Sequence, residues 1–94
     1  MKRVEYSQEK NQLLQLTRGI SFEIILKKIE KKEILGRVKH PNQKKYPNQM
    51  IFLFEIEGYI YYVPYVEDEE KIFLKTIIPS RKLTKEFRSQ NEKK

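Results

Sequence analysis

The side chains of this 94-residue chain that could carry out chemistry are one imidazole, six phenols and a surplus of cations. Histidine is the residue type whose ordinary pKa, about 6.5, lies nearest neutral pH, and His40 is the single histidine. Arg81 and Lys75 could hold phosphate oxygens, the arginine through two parallel hydrogen bonds. These residue types suit metal-free RNA cleavage, in which the 2′-hydroxyl attacks the adjacent phosphate while the protein moves protons and stabilises negative charge. The predicted catalytic set is Arg81, Lys75, His40 and Tyr62, with His40 or a tyrosine moving the protons.

Tyrosine rings and lysines in the same part of the chain could bind unpaired RNA. Aromatic rings stack on exposed bases, and each such contact contributes about 1–3 kcal/mol. Tyr46, Tyr62 and Tyr65 are candidates for stacking, although tyrosine is also a common strand residue on a half-buried sheet surface. The predicted RNA-binding residues are Lys44, Lys45, Tyr46, Tyr65 and Lys82.

The composition argues against several other chemistries. The chain has no cysteine, which removes disulfides, cysteine-bound zinc, iron–sulfur clusters and thiol nucleophiles. One histidine is too few for the usual transition-metal site, and three scattered glycines do not form a phosphate-binding loop. Glu55 and Glu57 would lie on one face of a strand, about 7 Å apart, but such alternating charges are usually the solvated side of a strand. We therefore expect neither a metal ion nor a cofactor.

The net charge indicates the class of partner. Twenty lysines and arginines against 13 aspartates and glutamates give +7. This density of charge favours an anionic partner, either nucleic acid or an acidic protein, although it could serve solubility alone. No run of residues is long enough to span a membrane, and the N-terminus lacks the apolar core of a signal peptide. We expect a soluble cytoplasmic protein that does not contact a membrane.

A short strand and two helices are predicted in the first third of the chain. Residues 3–6 alternate as a strand, and Ser7 is placed to cap a helix that runs to about Thr17, with Gly19 just past its end. Ser21 is placed to cap a second helix that would cover a sheet. The apolar stripe of this second helix consists of Phe22, Ile25, Leu26 and Ile29.

A sheet with one irregular loop is predicted for the rest of the chain. After a strand at 34–39, residues 40–49 contain Pro-Asn-Gln twice, which predicts two successive turns. A loop of this length is often functional, although an ordinary polar loop fits it equally well. The expected fold is one α+β domain, residues 1–94, with the two N-terminal helices packed on an antiparallel sheet of four to five strands. The later elements are predicted as a three-strand meander at 50–57, 59–66 and 71–78, a short helix at 80–87 and a frayed basic tail at 88–94.

The order of these elements and three short motifs resemble a known family. The motifs are EKN at residues 9–11, GISFE at 19–23 and IIPSRK at 77–82. With them the chain, over about residues 3–87, resembles a divergent member of the BrnT family, the toxins of bacterial type II toxin–antitoxin pairs. The resemblance implies a RelE-like fold, a ribonuclease activity that halts translation and a cognate antitoxin protein as partner. It also implies a functional role for Arg81.

Two functions of different classes follow from these observations. The first is a BrnT-like toxin that cleaves RNA without a metal ion. The second is a non-catalytic basic module that binds RNA or an acidic protein, which needs the same positive surface but no groups that transfer protons.

Overall fold

A short strand, two helices and a second short strand precede the β-meander along the chain. The computed structural model describes residues 2–92, and side chains for residues 2–90. No helix between residues 2 and 92 is both long and apolar enough to cross a membrane. The elements are β1 (Arg3–Tyr6), α1 (Gln8–Arg18), α2 (Phe22–Glu30), β2 (Gly36–Lys39), β3 (Gln49–Ile56), β4 (Tyr59–Glu67), β5 (Lys71–Leu74), β6 (Ile78–Pro79) and α3 (Arg81–Glu92).

The described strands form one mixed sheet in the order β1-β5-β4-β3-β2, with β6 pairing β4. The predicted α+β class and the antiparallel β3-β4-β5 meander are confirmed. The prediction of an all-antiparallel sheet is wrong, because β1 runs parallel to β5, with Val4 opposite Ile72. Hairpin turns impose antiparallel pairing on β3, β4 and β5, whereas two helices separate β1 from the later strands and permit either direction.

The strand predicted at 71–78 is two strands in the structure, which brings the described sheet to six. β5 pairs β4 up to Tyr65, and β6 pairs β4 at Tyr61 and Tyr62. Between these stretches lies Pro64, which has no N–H to donate to a ladder. The carbonyl of Pro64 still accepts a hydrogen bond of 2.8 Å from the Lys75 amide. The interruption at this proline therefore explains why the last strand is divided.

Helix α1 begins and ends close to the predicted residues, and α2 begins after Ser21 as predicted but is capped differently. Ser7 accepts a hydrogen bond from the Lys10 amide, and Gly19 ends α1 with φ of 65°. Ser21, the predicted cap of α2, makes no capping bond with its side chain. The buried Asn11 amide does this instead: its Oδ1 accepts from the Phe22 N–H at 2.7 Å, and its Nδ2 donates to Glu23 Oε1 at 2.8 Å. This second bond is the main reason that the pKa of Glu23 is lowered.

One face of the sheet packs against α1 and α2. Phe22 and Ile25 of the predicted stripe are fully buried, and Ile29 packs against the same core. On α1 only Leu14 of the three leucines is buried. The buried cluster consists of Leu14, Ile20, Phe22, Ile25, Phe52, Phe54, Val63, Tyr65, Leu74 and Ile77.

Helix α3 lies on the opposite side of the sheet, which we call the α3 face. Its buried Thr84 accepts a hydrogen bond from the Ile60 N–H at 2.8 Å and donates one to the Ser80 carbonyl at 2.7 Å. The helix continues to Glu92, so residues 88–92, predicted as a frayed tail, are helical; residues 93 and 94 lie outside the described part. No proline or glycine follows Phe87 to stop the helix.

Candidate functional site

A cavity of about 340 Å³ opens on the α3 face and brings together His40 and Tyr62, which are 22 positions apart in sequence. Its floor comes from β2, β3 and β4, where Val38 is opposite Ile51 and Leu53 is opposite Tyr62. Leu83 of α3 and Pro41 complete the lining, which is mostly apolar. We call this the His40–Tyr62 cavity.

The loop after β2 wraps around His40. The His40 amide donates to the Gln49 carbonyl at 3.1 Å, and its carbonyl accepts from Gln43 Nε2 at 2.6 Å. Asn42 donates its backbone N–H to His40 Nδ1 at 3.0 Å, and the ring lies 4.5 Å from that of Tyr46. These contacts confirm the turns predicted from the repeated Pro-Asn-Gln.

The Asn42 hydrogen bond determines which proton chemistry His40 can offer. Because Nδ1 accepts from Asn42, the proton of the neutral ring lies on Nε2. In this arrangement His40 can donate a hydrogen bond through Nε2, but neither ring nitrogen has a free lone pair that could take up a proton. A role for His40 as a general base would therefore require the Asn42 hydrogen bond to Nδ1 to open.

Lys75 lies on the same sheet face as Tyr62. Its amide donates to the Pro64 carbonyl, which places Lys75 beside a residue two positions from Tyr62 along β4. Side chains at that separation project from the same side of a strand, about 7 Å apart. The exposed Lys75 ammonium is 5.5 Å from the centre of the Phe73 ring. Three of the four predicted catalytic residues thus share the α3 face.

Arg81, at the start of α3, does not line the His40–Tyr62 cavity. It lines a separate cleft of about 640 Å³ with Tyr59, Lys85 and Arg88. Arg81 is the first residue of α3. The helical repeat places Arg81, Lys85 and Arg88 on a different side of α3 from Leu83, which faces the sheet. Lys75 is not among the residues that line this cleft, so the two predicted phosphate ligands do not share a cavity.

The predicted RNA-binding residues have different surroundings. Lys44 and Lys45 are exposed in the loop, with the Lys45 ammonium 5.4 Å from the centre of the half-buried Tyr46 ring. Lys82 is exposed in the first turn of α3. Tyr65 requires a correction: it is fully buried and its ring stacks on Phe52 at 4.0 Å, so it has no surface for a base.

The Tyr65 hydroxyl is a buried polar group without a partner. It makes no hydrogen bond of good geometry to any of the described residues. Burial raises the pKa of this phenol, and the nearby Arg37 lowers it to a smaller extent.

Tyr65→Phe is expected to raise the free energy of unfolding by about 1 kcal/mol, because it removes a desolvated hydroxyl and keeps the buried ring. Urea unfolding followed by circular dichroism measures this change, and Tyr61→Phe at a half-buried position is the matched control. A loss of stability in Tyr65→Phe alone would indicate that the hydroxyl bonds to Arg37 in solution.

Two functional candidates, Lys85 and Arg88, are absent from the predicted set. Together with Arg81 they occupy positions i, i+4 and i+7 of α3, a spacing that places all three on one side of a helix. The spacing can be read from the sequence, but the predicted helix ended at residue 87 and therefore left Arg88 out of the row. Among the described residues, no group of three or more histidine, cysteine, aspartate or glutamate side chains could hold a metal ion.

Comparison of the chain with models of known protein families, with curated proteins and with solved structures finds no match in any of the three.

Proposed function

We propose that the chain is a BrnT-like toxin of a bacterial type II toxin–antitoxin pair, which cleaves RNA without a metal ion and so inhibits translation. The observation that carries the proposal is the cavity in which His40 and Tyr62 meet, on the sheet face that also bears Lys75. The charge of +7 suits an RNA substrate. A RelE-like arrangement, a cytoplasmic location and neutralisation by a cognate antitoxin are parts of the same proposal.

His40 and Tyr62 of the cavity and Lys75 on the same sheet face have distinct roles in this reaction. The 2′-oxygen forms a bond to phosphorus, its proton is lost to solvent, and the bond from phosphorus to the 5′-oxygen breaks. Tyr62 supplies a proton to the departing 5′-oxygen. His40, through its Nε2–H, and the Lys75 ammonium stabilise the negative charge on the phosphate oxygens. The products are a 2′,3′-cyclic phosphate and a 5′-hydroxyl.

The test is incubation of the purified chain with end-labelled RNA in the presence of a chelator. We expect fragments that end in a 2′,3′-cyclic phosphate, at the same rate with and without added magnesium. A parallel incubation with RNA whose 2′-hydroxyls are methylated is the control and should give no fragments. Cleavage that requires magnesium, or cleavage of the methylated RNA, would contradict the proposal.

A second candidate function is a basic module that binds RNA or an acidic protein without cleaving it. Two observations favour it: Arg81 lines a different cavity from His40 and Tyr62, and His40 Nδ1 already accepts a hydrogen bond from Asn42. Retention of RNA without fragments in the chelator assay would support this function in place of the toxin.

A further inference from the structure

We infer that the cleft lined by Tyr59, Arg81, Lys85 and Arg88 is a groove for single-stranded RNA, separate from the His40–Tyr62 cavity. We call it the α3 groove. The inference rests on the proposed function only in taking RNA as the ligand. It concerns how the strand is held and needs no cleavage.

The first argument is the uncompensated charge of the α3 groove. Among the residues whose side chains the structure describes, its lining contains three cations and no carboxylate. None of the three cations forms an ion pair with a carboxylate between residues 2 and 90. Glu86, the acidic residue among positions 81–90, lies on another side of α3 and lines a different cavity with Phe87. A surface of this kind attracts an anionic ligand.

A second depression on the molecule shows the contrast. It has a volume of about 810 Å³, but its three cations are matched by three carboxylates, and Lys2 is paired with Glu67 at 2.6 Å. Size alone therefore does not distinguish the α3 groove, whereas its unbalanced charge does. The matched charges of that lining are Lys2, Arg37 and Lys71 with Glu67, Asp68 and Glu69.

The second argument is the spacing of the cations. Arg81 and Arg88 are seven positions apart on one helix, and a rise of about 1.5 Å per residue separates their Cα atoms by about 10 Å along the axis. Lys85 lies between them. A row of this length follows an extended ligand with several charges better than a single small anion.

The third argument is the aromatic ring beside the cations. Tyr59 lines the groove and is half-buried at the start of β4, opposite Ile56. The centres of its ring and of the Tyr61 ring are 5.7 Å apart. Binding of single-stranded nucleic acid typically combines a positive groove along the backbone with an aromatic ring on which a base stacks. The α3 groove has both parts, and so a single strand of RNA is the ligand that its chemistry fits.

The experiment measures binding of a fluorescent, fully 2′-O-methylated RNA oligonucleotide by anisotropy, because that RNA cannot be cleaved through its 2′-oxygen. The test variant is Arg81→Gln/Lys85→Gln/Arg88→Gln. The control variant is Lys27→Gln/Lys31→Gln/Lys32→Gln, which removes the same charge from the exposed surface at the end of α2. Circular dichroism and thermal unfolding establish that each variant is folded.

We expect the test variant to bind at least about tenfold more weakly and the control variant within about threefold of the original chain. Each lost phosphate contact should also reduce the slope of log affinity against log salt by about 0.7, or about 2 for three contacts. Tyr59→Leu should weaken binding about fivefold or more, whereas Tyr59→Phe should retain it because the ring is kept.

Equal losses in the test and control variants would overturn the inference, and so would groove-dependent binding of a polyglutamate peptide in place of RNA. Cleavage in the chelator assay by a chain whose groove variants bind normally would leave the toxin proposal standing and reject the groove. RNA binding that depends on the groove, without cleavage in the chelator assay, would support the groove and contradict the toxin proposal.

Discussion

Tyr62→Phe is expected to lower the rate of RNA cleavage by about 100-fold or more, because the 5′-oxygen then departs without a positioned proton donor. The ring would remain opposite Leu53 in the β3–β4 pairing, so the fold should be unaffected. Single-turnover cleavage at saturating protein measures the loss without interference from binding. Tyr61→Phe, the next residue on the strand and on the other sheet face, should cleave normally. Normal cleavage by Tyr62→Phe would remove Tyr62 from the reaction.

Two substitutions at His40 distinguish stabilisation of phosphate charge from proton transfer by this residue. Glutamine offers an amide N–H donor but does not take up a proton near neutral pH, whereas alanine offers neither. If His40 stabilises phosphate charge through Nε2–H, His40→Gln should cleave within about tenfold of the original chain and His40→Ala about 100-fold more slowly. Losses of about 100-fold in both variants would instead show that His40 transfers a proton, and that the Asn42 hydrogen bond opens during the reaction.

Asn11→Ala is expected to lower the free energy of unfolding by about 2–3 kcal/mol. The change removes the cap of α2 and leaves the buried Phe22 N–H without an acceptor. In a chain of this size the loss corresponds to a decrease in Tm of about 10–20 °C. Thermal unfolding measures it, and Gln12→Ala at the exposed neighbouring position should change stability by less than about 0.5 kcal/mol.

The pH dependence of stability tests the other hydrogen bond of the Asn11 side chain, which it donates to Glu23. The Asn11 Nδ2–H lowers the pKa of Glu23 below the ordinary value of 4.5 in the folded state. Glu23 therefore stabilises the fold above that value, and the stabilisation is lost as the pH falls through the lowered pKa. Asn11→Ala should show a smaller loss of stability on acidification than the original chain. An unchanged pH profile would mean that the Asn11–Glu23 bond does not persist in solution.

Residues 9–11 and 19–23, which carry part of the family resemblance, have a structural explanation here. Asn11 from the first motif binds Phe22 and Glu23 from the second, which locks α1 to the start of α2. The occurrence of both motifs in one chain is therefore explained by the packing of α1 against α2 and gives no direct evidence about catalysis. The functional part of the toxin proposal depends on the His40–Tyr62 cavity, where the variants above test it.

Local signals in the sequence predicted most of the elements. Ser7 and Gly19 delimited α1, and the 3.6-residue repeat of Phe22, Ile25 and Ile29 identified the buried side of α2. Residue types also predicted the turns that surround His40. These features depend on contacts between residues close together in sequence, and such contacts can be inferred without knowledge of the fold.

The neighbourhood of the functional residues depended on tertiary structure. Tyr62 and Tyr65 lie on one strand and have the same side chain, but their odd spacing sends them to opposite sheet faces, and only packing by α1 and α2 decides which face is buried. Likewise, Arg81, Lys85 and Arg88 line a cleft separate from the His40–Tyr62 cavity, because the contacts of Leu83 and Thr84 with the sheet set the rotation of α3. The sequence by itself determined the residue types, the charge and the local elements. The tertiary structure decided that His40 and Tyr62 line one cavity while Arg81 lines another, because that outcome depends on how α3 packs against the sheet.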